Sequence, residues 1–104
     1  MRKYRVAISG EARRMLTEHV YFLATVNPEA AKRLQTRIME AIRSLETMPE
    51  RCPYLEPEDR RSPYRKMLVS KQYLIIYVVQ DEAVYVEYVL DCRRDYGWLI
   101  EKEN

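Results

Sequence analysis

The chain has 104 residues and a mass of 12.6 kDa, with 47% hydrophobic and 33% charged residues, a formal charge of +2 and a pI near 8.6. This is one soluble domain over residues 1–104 with enough material for a core, and too mild a charge to diagnose nucleic-acid binding by itself. The two glycines, Gly10 and Gly97, exclude a Walker phosphate loop and a dinucleotide fingerprint, and no apolar run approaches the roughly 20 residues that span a bilayer. No secretory signal opens the chain, so a cytoplasmic location without membrane contact is expected. Cys52 and Cys92 lack CxxC spacing and have no histidine cluster near them, so no metal or other cofactor is expected and both thiols should be reduced.

Tyr4, Val6 and Ile8 alternate with Arg5 and Ala7, the pattern of a half-buried first strand. Ser9 then caps a helix with Glu11 in its first turn, and Ala12, Leu16, Val20, Leu23 and Val26 form its apolar stripe. Asn27-Pro28 stops that helix and starts another, since proline disfavours helix in the residue before it yet fits the first helical position. In the second helix Ala31, Leu34, Ile38, Ala41, Ile42 and Leu45 face inward, while Lys32, Arg33, Arg37, Glu40 and Arg43 take the wet side. The pair should form an antiparallel hairpin. Pro49, Pro53, Pro57 and Pro63 predict one long surface loop, a reasonable place for a partner contact. Residues 64–69, 73–79 and 84–92 then read as three strands in an antiparallel meander, with the middle one apolar on both faces and therefore central. Val84, Val86, Tyr88 and Leu90 alternate with Tyr85, Glu87, Val89 and Asp91, which places Glu87 and Asp91 on the open face. Residues 93–104 read as a short terminal helix or an arm.

Cations gather in two places. Arg60, Arg61, Arg65, Lys66 and Lys71 fall in a stretch without acidic residues, and Arg93-Arg94 follow the last strand. Guanidinium forks suit phosphate oxygens, so if the sheet brings the two groups together they form a phosphate-binding or target-binding patch of Arg61, Arg65, Lys66, Lys71, Arg93 and Arg94. His19, the only histidine, lies mid-helix near the apolar stripe and is read as structural. Glu87 and Asp91 on the last strand are the candidate general bases. Trp98, Leu99 and Ile100 are apolar with little nearby to pack on, and they read as an edge-docking or partner-contact segment.

The order of elements, together with Tyr4-Arg5-Val6, Asn27-Pro28-Glu29-Ala30-Ala31, residues 45–49, Tyr64-Arg65, Leu68-Val69, Tyr73, Ile75, Tyr77 and the run from Asp91 to Tyr96, resembles the RelE/ParE superfamily of bacterial type II toxins. The resemblance implies an α+β fold: an amino-terminal strand and an antiparallel helical hairpin packed on an antiparallel sheet that ends in a three-strand meander. It implies a toxin held inactive by a cognate antitoxin, with operator DNA met only through the antitoxin. Two modes of action occur on this fold, inhibition of DNA gyrase (ParE-like) and metal-independent cleavage of ribosome-bound mRNA (RelE-like); fold alone does not choose between them, and an attenuated, non-toxic member is a third alternative. Set against RelE-like nucleases, Arg65 and Arg94 fall at positions of catalytic cations, and Tyr96 is the candidate for a catalytic tyrosine whose aligned position is Ile100. Met67 and Leu74 stand where such nucleases carry a lysine and an arginine, and these departures favour the ParE-like mode. Trp98, Leu99 and Ile100 are then candidates for contact with antitoxin or target.

Overall fold

The computed structural model describes residues 3–95; Tyr96, Trp98, Leu99 and Ile100 lie outside them. The alternating amino-terminal segment forms strand β1 (Arg5–Ile8), followed at once by helix α1 (Gly10–Ala24). Ser9 makes that junction. Its Oγ accepts the Ala12 N–H at 2.9 Å and its hydroxyl donates to the Glu87 carbonyl at 2.9 Å, so one side chain caps the helix and ties it to the sheet. Helix α2 (Pro28–Ser44) begins where Asn27 accepts the Ala30 N–H, with Pro28 in its first turn.

The inner face of α2 is the one periodicity predicts: Ala31, Leu34, Ile38 and Ile42 are buried, followed by Leu45. On α1 the deepest residues are Ala12, Met15 and His19, while Leu16, Val20 and Leu23 are half-buried and Val26 is 77% exposed. The buried stripe is therefore rotated from the expected one, because a histidine occupies a core position that apolar periodicity cannot register.

Strands β2 (Tyr64–Val69), β3 (Tyr73–Gln80) and β4 (Ala83–Asp91) form the expected antiparallel meander, in the sheet order β1-β4-β3-β2. β1 joins β4 in parallel, with Val6 opposite Val84 and Ile8 opposite Val86, so the whole sheet is mixed rather than antiparallel. A parallel neighbour requires a crossover, and the helical hairpin is part of it. Both helices cover one sheet face, α1 over β4 and α2 near β2, and Ile38, Leu45, Ile75, Tyr77, Val84 and Val86 form the buried core between them.

A bulge sets the direction of the carboxyl-terminal side chains. Ile76 pairs with Tyr88 and Tyr77 with Val86, which leaves Glu87 as the extra residue. One inserted residue reverses the alternation, so beyond it Val89 and Asp91 join Val84 and Val86 on the helix-facing side. The period-two reading that put Asp91 on the open face is corrected for this reason: Asp91 is 4% exposed and lines a groove with His19 and Tyr73.

The proline-rich segment is more ordered than a free loop. It holds a 3-10 turn (Pro49–Arg51), and Tyr54 bridges to Arg65 across the outer edge of β2. Leu55 N–H donates to Tyr64 O at 2.8 Å and Lys66 N–H to Pro53 O at 3.0 Å, which closes part of an otherwise open edge. The hydroxyl of the fully buried Tyr77 donates to Pro49 O at 2.7 Å. Burial, reinforced by the neighbouring Cys52, raises the Tyr77 phenol well above the ordinary tyrosine range. The folded protein thus keeps a proton that the unfolded chain releases above about pH 10; this contribution is intact below that pH and stability falls as pH rises beyond it. Tyr77→Phe is expected to flatten the alkaline part of the stability profile, measured by denaturant unfolding at about pH 8 and about pH 11. An unchanged slope would show that Tyr77 is not the linked group.

Candidate functional site

A groove of about 650 Å³ opens where β2 turns into β3 and β4 ends. α1 contributes His19, Phe22 and Leu23, and α2 contributes Arg33, Leu34 and Arg37 on successive turns. The strand side supplies Ser70, Gln72, Tyr73, Asp91, Arg93 and Arg94. The floor is apolar and aromatic and the rim is guanidinium.

Local structure places each group. In the turn between β2 and β3, Gln72 N–H donates to Val69 O at 3.2 Å, and the two central residues, Ser70 and Lys71, lie at φ 53° and 60°. Left-handed backbone in non-glycine residues costs on the order of 1 kcal/mol each or more. Arg37 donates to Ser70 Oγ at 3.2 Å, fixing the helix side of the rim to that turn. Beyond β4, Asp91 Oδ1 accepts the Arg93 N–H at 2.9 Å while Asp95 Oδ2 accepts the Asp91 N–H at 2.8 Å, a reciprocal turn that presents Arg93 and Arg94. The Arg94 guanidinium carbon lies 4.8 Å from the Phe22 ring centre, over its face, a cation–π contact.

Beneath the rim, His19 Nε2–H donates to Val89 O at 2.8 Å. The His19 Nδ1 is buried and has no hydrogen-bond partner among the described residues. The ring is tilted against Tyr73, centroids 5.5 Å apart. Burial raises the Tyr73 phenol above its ordinary range; the Asp91 charge adds to this, and Arg93 and Arg94 oppose it. No carboxylate among the described residues forms an ion pair with Arg33, Arg37, Arg93 or Arg94.

The two expected cation groups do not converge. Arg65 sits opposite Tyr77 and Asp91 opposite Tyr73, four residues further along β3, a separation of roughly 13 Å along the strand. Arg65 is also engaged elsewhere: its Nη1 donates to Glu50 O at 3.1 Å and to Cys52 O at 2.7 Å, and its guanidinium carbon lies 4.0 Å from the Tyr54 ring centre. It clamps the proline-rich segment. Arg61 lies on that segment with its N–H on Asp59, and half-buried Lys66 pairs with Ile76 at mid-strand, so neither lines the groove. Lys71 is exposed on the turn whose neighbours do. Glu87 is the half-buried bulge residue, and Asp91 is a turn-forming carboxylate with Gln72 Nε2 3.5 Å from its Oδ2. Cys52 and Cys92 are both free and half-buried.

Arg33 and Arg37 are the functional candidates that sequence reasoning missed. They looked like two more solvated charges; their i, i+4 spacing put them on one face, but only the fold brings that face to Arg93 and Arg94.

The family profile described as ParE toxin of type II toxin-antitoxin system, parDE, matches residues 6–96. Among solved structures, the fold is similar to one titled "Chromosomal ParDE TA system from P. aeruginosa", with a TM-score of 0.72 over 86% of this chain and 96% of that chain, at 12% sequence identity. No curated protein matches the sequence.

Proposed function

The chain belongs to the ParE toxin family of type II toxin-antitoxin systems, and on that premise we propose that a cognate antitoxin neutralises it and that it arrests growth by binding DNA gyrase in the cytoplasm. The observation that carries gyrase binding over ribosome-dependent mRNA cleavage is the engagement of the groups a nuclease would use. Arg65 Nη1 donates to the Glu50 and Cys52 carbonyls and its guanidinium rests by the Tyr54 ring, and Asp91, the buried candidate base, accepts the Arg93 N–H in its own turn. A base so held is poorly placed to take a proton from a substrate hydroxyl. Arg33, Arg37, Arg93 and Arg94, which form no ion pair with a carboxylate among the described residues, line one groove, an arrangement suited to holding an anionic partner. No helix among the described residues is long and apolar enough to cross a membrane.

Purified protein is expected to inhibit supercoiling by gyrase, to leave mRNA intact on translating ribosomes, and to lose its effect when its cognate antitoxin is added. Discrete mRNA cuts abolished by Arg94→Ala would establish the nuclease reading instead, with Tyr96→Phe as the second test of that reading.

A further inference from the structure

We propose that the groove between the helical hairpin and the end of the sheet is a binding site for a phosphate group, held between Arg33 and Arg37 of α2 and Arg93 and Arg94 beyond β4. Four guanidinium groups from two separate parts of the chain line one groove, and none is neutralised by a carboxylate among the described residues. Against these four positive charges the described lining sets one carboxylate, Asp91, so the guanidinium groups repel one another and an anion between them relieves that repulsion.

The chemistry favours phosphate over carboxylate. A carboxylate has two oxygens and is satisfied by one or two forks, whereas a phosphate presents more oxygens and accepts bidentate bonds from several guanidinium groups at once. Arg94 is held at the groove by its cation–π contact with Phe22, 4.8 Å from guanidinium carbon to ring centre. Among the described residues Arg37 makes one side-chain hydrogen bond, with Ser70 Oγ at 3.2 Å. Among the described residues Asp91 is the one carboxylate lining the groove; it is buried, and its Oδ1 accepts the Arg93 N–H.

A second observation points to the same place. His19 is 5% exposed, lines the groove, and carries a buried Nδ1 without a partner among the described residues. Such an atom is costly to leave bare, and a donor reaching it from the groove, such as a ribose or water hydroxyl accompanying the phosphate, would satisfy it. The volume, about 650 Å³, is that of a small-molecule or single-nucleotide site, and the aromatic floor suits a ligand with a flat ring beside its phosphate. The phosphate can come from a free compound or from a nucleic-acid strand. This inference is independent of the cellular target, since its test reads binding to the protein alone.

The test is titration of the full chain at fixed ionic strength with inorganic pyrophosphate and, separately, with a short oligothymidylate, following backbone amide resonances. The expected result is saturable shifts confined to the amides near Arg33, Arg37, Ser70, Gln72, Arg93 and Arg94. Affinity should fall about tenfold in Arg37→Gln and in Arg94→Gln and stay unchanged in Arg43→Gln, which removes the same charge from α2 outside the groove. Circular dichroism of each variant shows that it is folded. A response to pyrophosphate assigns the site to free phosphate compounds, and a response to the oligonucleotide alone assigns it to a strand; both support the site. No saturable response to either probe, an equal loss in Arg43→Gln, or equally tight binding of oligoglutamate overturns it, the last making the groove a site for an acidic peptide.

Discussion

Ile38→Ala is expected to lower the unfolding free energy by about 3–4 kcal/mol, a drop of roughly 15 °C or more in the melting temperature. Ile38 is fully buried on the inner face of α2. Truncation removes its transfer free energy and leaves a cavity that close-packed neighbours fill only in part. Arg37, the preceding residue, is exposed at the groove rim, so Arg37→Gln should change stability by no more than about 0.5 kcal/mol. Chemical denaturation of the two variants separates the roles of adjacent residues: one holds the hairpin on the sheet and the other forms the rim of the groove. A loss below about 1 kcal/mol in Ile38→Ala would mean that the hairpin is not seated as described.

Arg65→Ala is expected to cost about 2–3 kcal/mol and to expose the proline-rich segment to proteolysis. It orphans the Glu50 and Cys52 carbonyls and removes the guanidinium from the Tyr54 ring. The site is only half-buried, so water repays part of the loss and the figure is held near the lower end of what two charge-assisted bonds and a cation–π contact imply. Arg65→Lys should recover less than half, because a lysine cannot bind both carbonyls and stack on the ring. The measurement is denaturant unfolding together with limited trypsin digestion, in which new cleavage should fall around residues 51–61. If stability is unchanged while toxicity is lost, Arg65 acts on the target and not on the fold.

The elements were legible in the sequence because their causes are local. Ser9 and Asn27 satisfy helix starts within a few residues, and the β-branched runs after Pro63 carry their own periodicity. The parallel union of β1 with β4 was not legible, since alternation shows which residues face the core and not which strand lies alongside. The Glu87 bulge was hidden for a related reason: an inserted residue leaves composition intact but reverses every later side chain, and that reversal carries Asp91 from the open face to the groove. His19 is buried because one backbone carbonyl, on Val89, is in place to accept its proton, a long-range contact that nothing around position 19 announces.

The candidate site was legible only in its carboxyl-terminal half. Arg93 and Arg94 stand out as a doublet after a strand, and the structure keeps them at the rim. Arg65 drew notice through its position in a basic stretch, yet charge in sequence does not show whether donors are spent on solvent, a ligand or the protein's own carbonyls. Arg33 and Arg37 are the reverse case: ordinary surface residues on an isolated helix become part of a site once the helix lies beside the end of the sheet.

The most direct test of a toxin that acts by binding is its induction in cells without antitoxin, with plasmid topology and transcript ends read from the same culture. The expected result is growth arrest accompanied by loss of negative supercoiling, with transcripts intact. Arrest with normally supercoiled plasmid and new, discrete mRNA ends would contradict it.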